Sequence, residues 1–202
     1  WHSSFKKYDN AKLIIKDNPA IYGKNNVLNE IIKMQYKTGC ASVIYIDDEL
    51  SNEEMSALYR SSKVVVHPYR AEGFGMHVQE AVACGCLPIL PTVGPHQDFI
   101  APDIGIRVEV RQVPIDISSN QVFAQKPGDA FTLMNTHTFA NEPVGQNLKK
   151  ALQWIYHSHD KKEAFAKLND VELINTWSNV ANKYLEVITN VTKSDAGPKR
   201  FR

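Results

Sequence analysis

The 202-residue chain has few cysteines, no long apolar segment and almost no net charge. It has three cysteines, Cys40, Cys84 and Cys86. An odd number of cysteines without zinc-ligand spacing argues against a disulfide framework and favours buried thiols. No apolar stretch reaches the roughly 18 residues that cross a bilayer, so no transmembrane segment is predicted. The net charge of +1 supplies no basic field for nucleic acid. We expect a cytoplasmic protein without a nucleic-acid partner; a full-length protein peripheral to a membrane is the alternative.

Short apolar runs alternate with helical patterns in the first hundred residues, which favours an α/β fold with a Rossmann-like parallel sheet and helices on both faces. The pattern predicts strands at 12–16, 43–46, 64–66 and 87–90, and helices at 27–36, 51–59 and 76–83. Beyond residue 100 it indicates strands at 104–110 and 113–117 and helices at 147–157, 161–168 and 171–189. Residues 118–142 match neither pattern.

The first residues, Trp1–Tyr8, are predicted to be helical, so the chain enters the fold without a strand before that helix. A Rossmann-like half normally begins with its central strand. We therefore expect a fragment that lacks its first strand, with one domain over residues 1–192 and a flexible tail at 193–202.

The segment at 64–100 carries the chemistry, in the order strand, turn, helix, strand, loop. Gly73 and Gly75 permit positive φ and close approach of the backbone to a ligand. The helix that follows directs its free amides and positive dipole end at the sheet's carboxyl edge, which suits a pyrophosphate without a metal. Glu72 and Glu80 flank this position. Because two carboxylates would repel a bare phosphate, they are better explained as acceptors for hydroxyl groups, a sugar on one side and a ribose on the other.

Four basic side chains near the turn have competing interpretations. His67, at a strand end, is interpreted as structural rather than catalytic, and His77 is expected to contribute its backbone rather than its imidazole. His96 sits in a loop that borders the same edge. Arg70 is expected to pair with Glu72, with a phosphate or with a surface carboxylate.

The motif E-G-F-G at 72–75, with Glu80 after seven intervening residues and then Ala83-Cys84-Gly85-x-x-Pro88, resembles the donor-binding signature of retaining GT-B glycosyltransferases of the family 4 type. This is the "glycosyl transferases group 1" family. Thr92-x-Gly94-x-x-x-Asp98 stands where that family has a glycine-rich turn ending in an acid. The resemblance implies the C-terminal, donor-binding half of a GT-B fold.

The resemblance also implies roles for individual residues and no metal or cofactor. The implied contacts are the donor sugar at Glu72 (the catalytic residue), Gly73, Phe74 and Gly75; the diphosphate at the amides of Gly75, Met76 and His77; the ribose at Glu80; and the base at Tyr45, Ile46 and Asp47.

The activity implied by the resemblance is hexosyl transfer with retention from a nucleotide-diphospho-sugar, such as a UDP- or GDP-sugar. The acceptor would be a hydroxyl of a glycan, lipid or other compound held by an N-terminal domain that is missing here, so the isolated domain is expected to be inactive. Two alternatives stay open: a catalytically silent sugar-nucleotide-binding or regulatory module, and a related GT-B enzyme such as a glucan synthase or a sugar-nucleotide epimerase.

Overall fold

The structure is a computed structural model, and it describes residues 1–18, 28–33, 39–70, 72–114, 139–158, 161–170 and 176–194. The strands are β1 (Leu13–Lys16), β2 (Val43–Ile46), β3 (Val64–Val66), β4 (Leu87–Pro91), β5 (Ile106–Val108), β6 (Val110–Pro114) and β7 (Phe139–Pro143). The helices are α1 (Asn52–Ser61), α2 (Met76–Ala83), α3 (Gly145–His157), α4 (Lys161–Ala166) and α5 (Trp177–Ser194). Short 3-10 helices lie at Pro95–Asp98 and Lys167–Asp170, and residues 28–33 are helical.

The strands form two parallel sheets and one antiparallel pair. β1 pairs with β2 in one parallel sheet, and the order in the other is β3-β4-β5. In a doubly wound sheet, two strands lie on one side of the first strand and three on the other. The two-stranded and the three-stranded parallel sheets match that arrangement, which agrees with the predicted Rossmann-like α/β class. β6 and β7 form a separate antiparallel pair. Parallel strands align their carboxyl ends, so the turns after β3 and β4 meet at one edge.

β4 forms the centre of the core because helices cover both of its faces. All five of its residues are buried. One face packs in a cluster with α2 and the loop after β4, whose buried members are Val78, Val82, Leu90, Phe99, Ile100 and Ile104. The other face packs against α3 in a cluster built on Ile89, Val108 and Ala151. β4, which pairs with the strand β3 that precedes the glycine turn, is therefore held from both sides.

Local sequence signals explain where α1 begins. Ser51 has extended φ and ψ and its hydroxyl accepts a hydrogen bond from the Glu54 amide, while the Glu54 carboxylate accepts one from the Ser51 amide at 2.8 Å. This is the predicted capping box. The hydrogen bonds to Ser51 also keep the pKa of Glu54 below its usual value.

Three elements of the structure differ from the predictions. Trp1–Tyr8 is not a helix: Ser4 and Phe5 donate to the Trp1 carbonyl in a single turn, and Lys6 then bridges to Cys40. β7 was not predicted from the sequence. It pairs with β6, which is distant in the sequence, so no local turn signal marks the strand. α5 continues through Ser194, past the helix end predicted at residue 189.

Several predictions fall on positions that the structure does not describe. They concern residues 27, 34–36, 115–117, 118–138 and 171–175, and the tail from residue 195 onward. All three cysteines are free. Within the described ranges, no helix combines the length and the apolar character that spanning a membrane requires.

Candidate functional site

The turn between β3 and α2 is organised around one carboxylate oxygen. Oε1 of Glu72 accepts hydrogen bonds from three successive amides, those of Gly73 at 2.9 Å and of Phe74 and Gly75 at 3.2 Å. Successive amides that converge in this way form an anion-binding nest. The carboxylate oxygen stands where an oxygen of a bound ligand would accept the same hydrogen bonds.

Glycine is required at the end of this turn. Gly75 is the N-cap of α2 and has φ +84°, a left-handed conformation that side chains disfavour. It has no side chain to cap the helix, so the amides of Met76 and His77, the first of α2, have no intrahelical acceptor. Two of the three predicted diphosphate amides, those of Met76 and His77, therefore lie at an open, electropositive helix start, while the Gly75 amide donates to Glu72.

Glu72 is held as a carboxylate. Burial by itself raises its pKa, but the hydrogen bonds from the Phe74 amide, the His67 ring and the Gly73 amide outweigh burial and lower the pKa below its usual value. The charge on Glu72 is thus stabilised by groups that belong to the same turn and to the end of β3.

Two histidines meet beside this carboxylate. Nε2 of His67 lies 3.2 Å from Oε2 of Glu72. Nε2 of His77 lies 2.9 Å from Nε2 of His67, and the two rings are perpendicular with centroids 4.0 Å apart. Burial and the neighbouring His77 lower the pKa of His67. Sequence reasoning assigned His67 a structural role and His77 a backbone role, and it missed that both imidazoles face Glu72. The carboxyl-edge rule could have found this, since His67 follows β3 and His77 is in the first turn of α2.

Glu80 lies on the exposed side of α2. Tyr59 on α1 is a neighbour of this carboxylate: burial, and after it the charge of Glu80, raises the pKa of the Tyr59 hydroxyl to about 12. The structure thus places the predicted ribose-binding carboxylate against a tyrosine that sequence reasoning did not single out.

The loop after β4 lies at the same edge of the sheet and contains a buried histidine. His96 is 1% exposed, and its Nδ1 lies 2.5 Å from the hydroxyl of Tyr69. Its Nε2 has no hydrogen-bond partner among the described residues. Burial, reinforced by the charge of Arg107, lowers the pKa of His96 to about 4, so the ring is neutral near pH 7. Gly94 has φ +140°, and a Cβ there would lie 1.9 Å from the Tyr69 hydroxyl, so only glycine fits.

The other predicted contacts lie away from the glycine turn. Tyr45, on β2, donates from its hydroxyl to Oδ2 of Asp17 at 2.6 Å, at the carboxyl end of β1. Ile46 and Asp47 end β2 at the same edge. Arg70 pairs with neither Glu72 nor a neighbouring residue of the turn; its Nη2 lies 3.0 Å from Oε1 of Glu142 on β7.

Fold and turn together define a Rossmann-like α/β domain with an anion-binding nest at the carboxyl edge of its sheet. The chain belongs to the family described as "Glycosyl transferases group 1", which matches residues 3–114, slightly more than half of the sequence. No curated protein matches the sequence at a significant level.

Many solved structures match this chain, and two of them serve as examples. One is the "GtfA/B complex", with 13% identity, a TM-score of 0.57, and coverage of 92% of this chain and 36% of that one. The other is Anabaena Alr3699/HepE in complex with UDP-glucose, with 15% identity, a TM-score of 0.46, and coverage of 89% and 40%. The chain thus spans 36–40% of these two proteins. The fold is a partial, Rossmann-like half of a GT-B glycosyltransferase, as the sequence predicted.

Proposed function

We propose that this chain binds the nucleotide-diphospho-sugar donor of a retaining glycosyltransferase at the turn between β3 and α2. One observation carries the proposal: three successive amides of Gly73, Phe74 and Gly75 converge on a single anionic oxygen at the open start of α2. A donor with a diphosphate beside a polyhydroxylated sugar offers the anionic and neutral oxygens that such a turn and its flanking carboxylates accept.

Donor binding requires Glu72 to turn away from its own amides. The freed amides then donate to donor oxygens, with Met76 and His77 extending the set along the diphosphate. Glu72, released from the turn, accepts hydroxyl groups of the sugar and acts as the catalytic carboxylate.

The rest of the donor follows the same edge. Glu80 accepts the ribose hydroxyls, and its charge lies close enough to Tyr59 to raise the pKa of that hydroxyl. The base lies near the end of β2, at Tyr45, Ile46 and Asp47. Transfer breaks the bond between the anomeric carbon and the diphosphate oxygen and forms a bond from that carbon to the acceptor oxygen on the same face. The acceptor proton leaves with the diphosphate. Preorganised donors stabilise that leaving group, and no metal takes part.

Calorimetric titration of the chain with UDP-, GDP- and ADP-sugars tests the proposal. We expect one nucleotide to bind selectively and Glu80→Ala to weaken it about 10- to 100-fold, the effect of removing a hydrogen bond to a charged group. Glu163→Ala, which removes an exposed carboxylate on α4, is the matched control and should leave the affinity unchanged. If no nucleotide-sugar bound, or if both variants weakened binding equally, the donor site would not be at this turn.

A further inference from the structure

We propose that His67, Glu72 and His77 form a zinc site that competes with the sugar donor. One nitrogen from each imidazole and one carboxylate oxygen all lie within 4.8 Å of one another. Two histidines and a glutamate are a donor set that zinc takes in proteins, with a fourth position left open. The inference goes beyond the donor site, which uses no metal.

Distances within the cluster suit a tetrahedral ion. With zinc–ligand bonds of roughly 2.0–2.2 Å, ligand atoms of a tetrahedron lie about 3.3 Å apart. Nε2 of His67 is 3.2 Å from Oε2 of Glu72 and 2.9 Å from Nε2 of His77. Both distances are within a few tenths of an ångström of this edge length, and the third edge, between His77 and Glu72, is no longer than 4.8 Å.

Hydrogen bonding alone does not satisfy the cluster. A ring nitrogen of neutral histidine is either a donor or an acceptor. If Nε2 of His67 donates to Glu72, it has no lone pair for Nε2 of His77, which lies 2.9 Å away. His77 Nε2 is also 3.1 Å from the other nitrogen of the same ring; since the rings are perpendicular, it lies over the face of the His67 ring, outside the plane of the His67 lone pairs, and makes no ordinary hydrogen bond with either nitrogen. A cation between the three side chains, reached by rotating the His77 ring out of its perpendicular position, would use one lone pair from each of them.

The ligands are also held in place by their surroundings. Oε1 of Glu72 is fixed by the amides of residues 73–75, which leaves Oε2 to point at the histidines. His67 follows β3, and its own amide donates to the Ile89 carbonyl at 3.0 Å. His77 is on the first turn of α2. Outer contacts that orient ligands in this way strengthen metal binding.

Zinc and the sugar need different positions of Glu72. Zinc requires the carboxylate to stay on its turn with Oε2 facing the histidines, whereas the sugar requires it to turn away and release the amides. The two ligands therefore exclude each other, and this second part rests on the proposed function. Zinc would act as an inhibitor of donor binding.

Metal binding is tested first without any nucleotide, by titrating the chain with Zn²⁺ alone in the calorimeter and with Co²⁺ by visible absorption. We expect one ion per chain and the intense d–d bands of tetrahedral cobalt. His77→Ala and His77→Gln should each weaken zinc binding more than about tenfold, the lower end of the scale for outer-sphere partners. His157→Ala and Cys84→Ser serve as controls for binding at other histidines and thiols and should leave the affinity unchanged. Circular dichroism checks that each variant is folded.

Absence of zinc binding, or binding that both His77 variants leave intact, would overturn the metal site. The competition is tested by measuring nucleotide-sugar affinity with and without Zn²⁺ as a ratio within each protein. Zinc should lower the affinity in the unchanged chain and have little effect in His77→Ala. If zinc bound as expected but that ratio stayed at one, mutual exclusion would be wrong while the metal site stood. If no nucleotide-sugar bound under either condition, the donor proposal would fail separately.

Discussion

The β3-β4-β5 sheet and the β1–β2 sheet are built from similar short apolar strands, yet their faces are covered differently. Every residue of β4 is buried, with Leu90 packed toward α2 and Ile89 toward α3. On β2, by contrast, Ile44 is 41% exposed, and none of the four residues of β1 is fully buried. The glycine turn follows β3, which belongs to the sheet whose central strand, β4, is covered on both faces. Rigid support from a packed core is what a precise anion nest needs, because three amides must hold one direction.

Truncating one side chain in each sheet gives the largest contrast. Leu90→Ala should lower the free energy of unfolding by about 2–5 kcal/mol, because it leaves a cavity in a cluster that cannot collapse freely. Ile44→Ala should cost less than about 1 kcal/mol, because water already reaches that side chain. Urea unfolding followed by circular dichroism measures both.

Equal losses for the two variants would contradict the comparison and would place β1–β2 within the same core. A matched pair within β4 refines the test. Ile89→Val, which removes one methylene from the face toward α3, should cost about 0.5–1.5 kcal/mol. A smaller value would mean that α3 covers that face loosely.

Acid should destabilise the site-bearing sheet through His96. Its pKa in the folded protein is about 4, because burial and the charges of Arg107 and His67 disfavour the imidazolium, whereas the unfolded value is near 6.5. Between these values the unfolded chain binds more protons, so stability is complete above about pH 6.5 and declines as pH falls toward 4. The full loss is about 3 kcal/mol. Unfolding free energies measured at steps from pH 7 to pH 4 give the slope.

His96→Asn isolates that contribution. The Asn side chain offers an acceptor to the Tyr69 hydroxyl but does not titrate in this range. The difference in slope between the two proteins then belongs to His96, whatever other carboxylates contribute. Identical slopes would show that His96 has the same pKa in the folded and the unfolded protein. On β2 the corresponding polar group is Tyr45, whose raised pKa of about 12 keeps it neutral throughout the acid range.

The parts of the molecule that follow local rules were predictable from the sequence. The spacing of Ser51 and Glu54 predicts the start of α1, and the structure contains both hydrogen bonds of this capping box. Glycine at position 75, between a β-branched strand and an apolar helix, predicted the turn, and its left-handed φ explains why glycine is needed. The order of strand, turn, helix and strand then fixed which residues lie at the carboxyl edge.

Contacts between distant parts of the chain were not predictable in the same way. Arg70 reaches Glu142, 72 positions away, through a strand that has no local signal of its own. The meeting of His67 with His77 depends on the angle between β3 and α2, which packing of Val78 and Val82 sets rather than any motif. Trp1–Tyr8 has a helical pattern, but burial of Phe5 and the bridge from Lys6 to Cys40 hold it as a turn.

The smallest effect is expected at the hydrogen bond between Tyr45 and Asp17. Although the bond is short at 2.6 Å, it lies at the edge of the less covered sheet, where water can replace either partner. Tyr45→Phe should therefore shift the thermal unfolding midpoint by no more than about 2 °C. A much larger fall in the midpoint would show that the β1–β2 sheet unfolds together with the rest of the chain. The exposure of its side chains would then not make its stability independent of the β3-β4-β5 sheet. A small shift in midpoint accompanied by a clear loss of nucleotide-sugar affinity would instead show that the hydroxyl serves the proposed base site, because stability and binding would then separate at one residue.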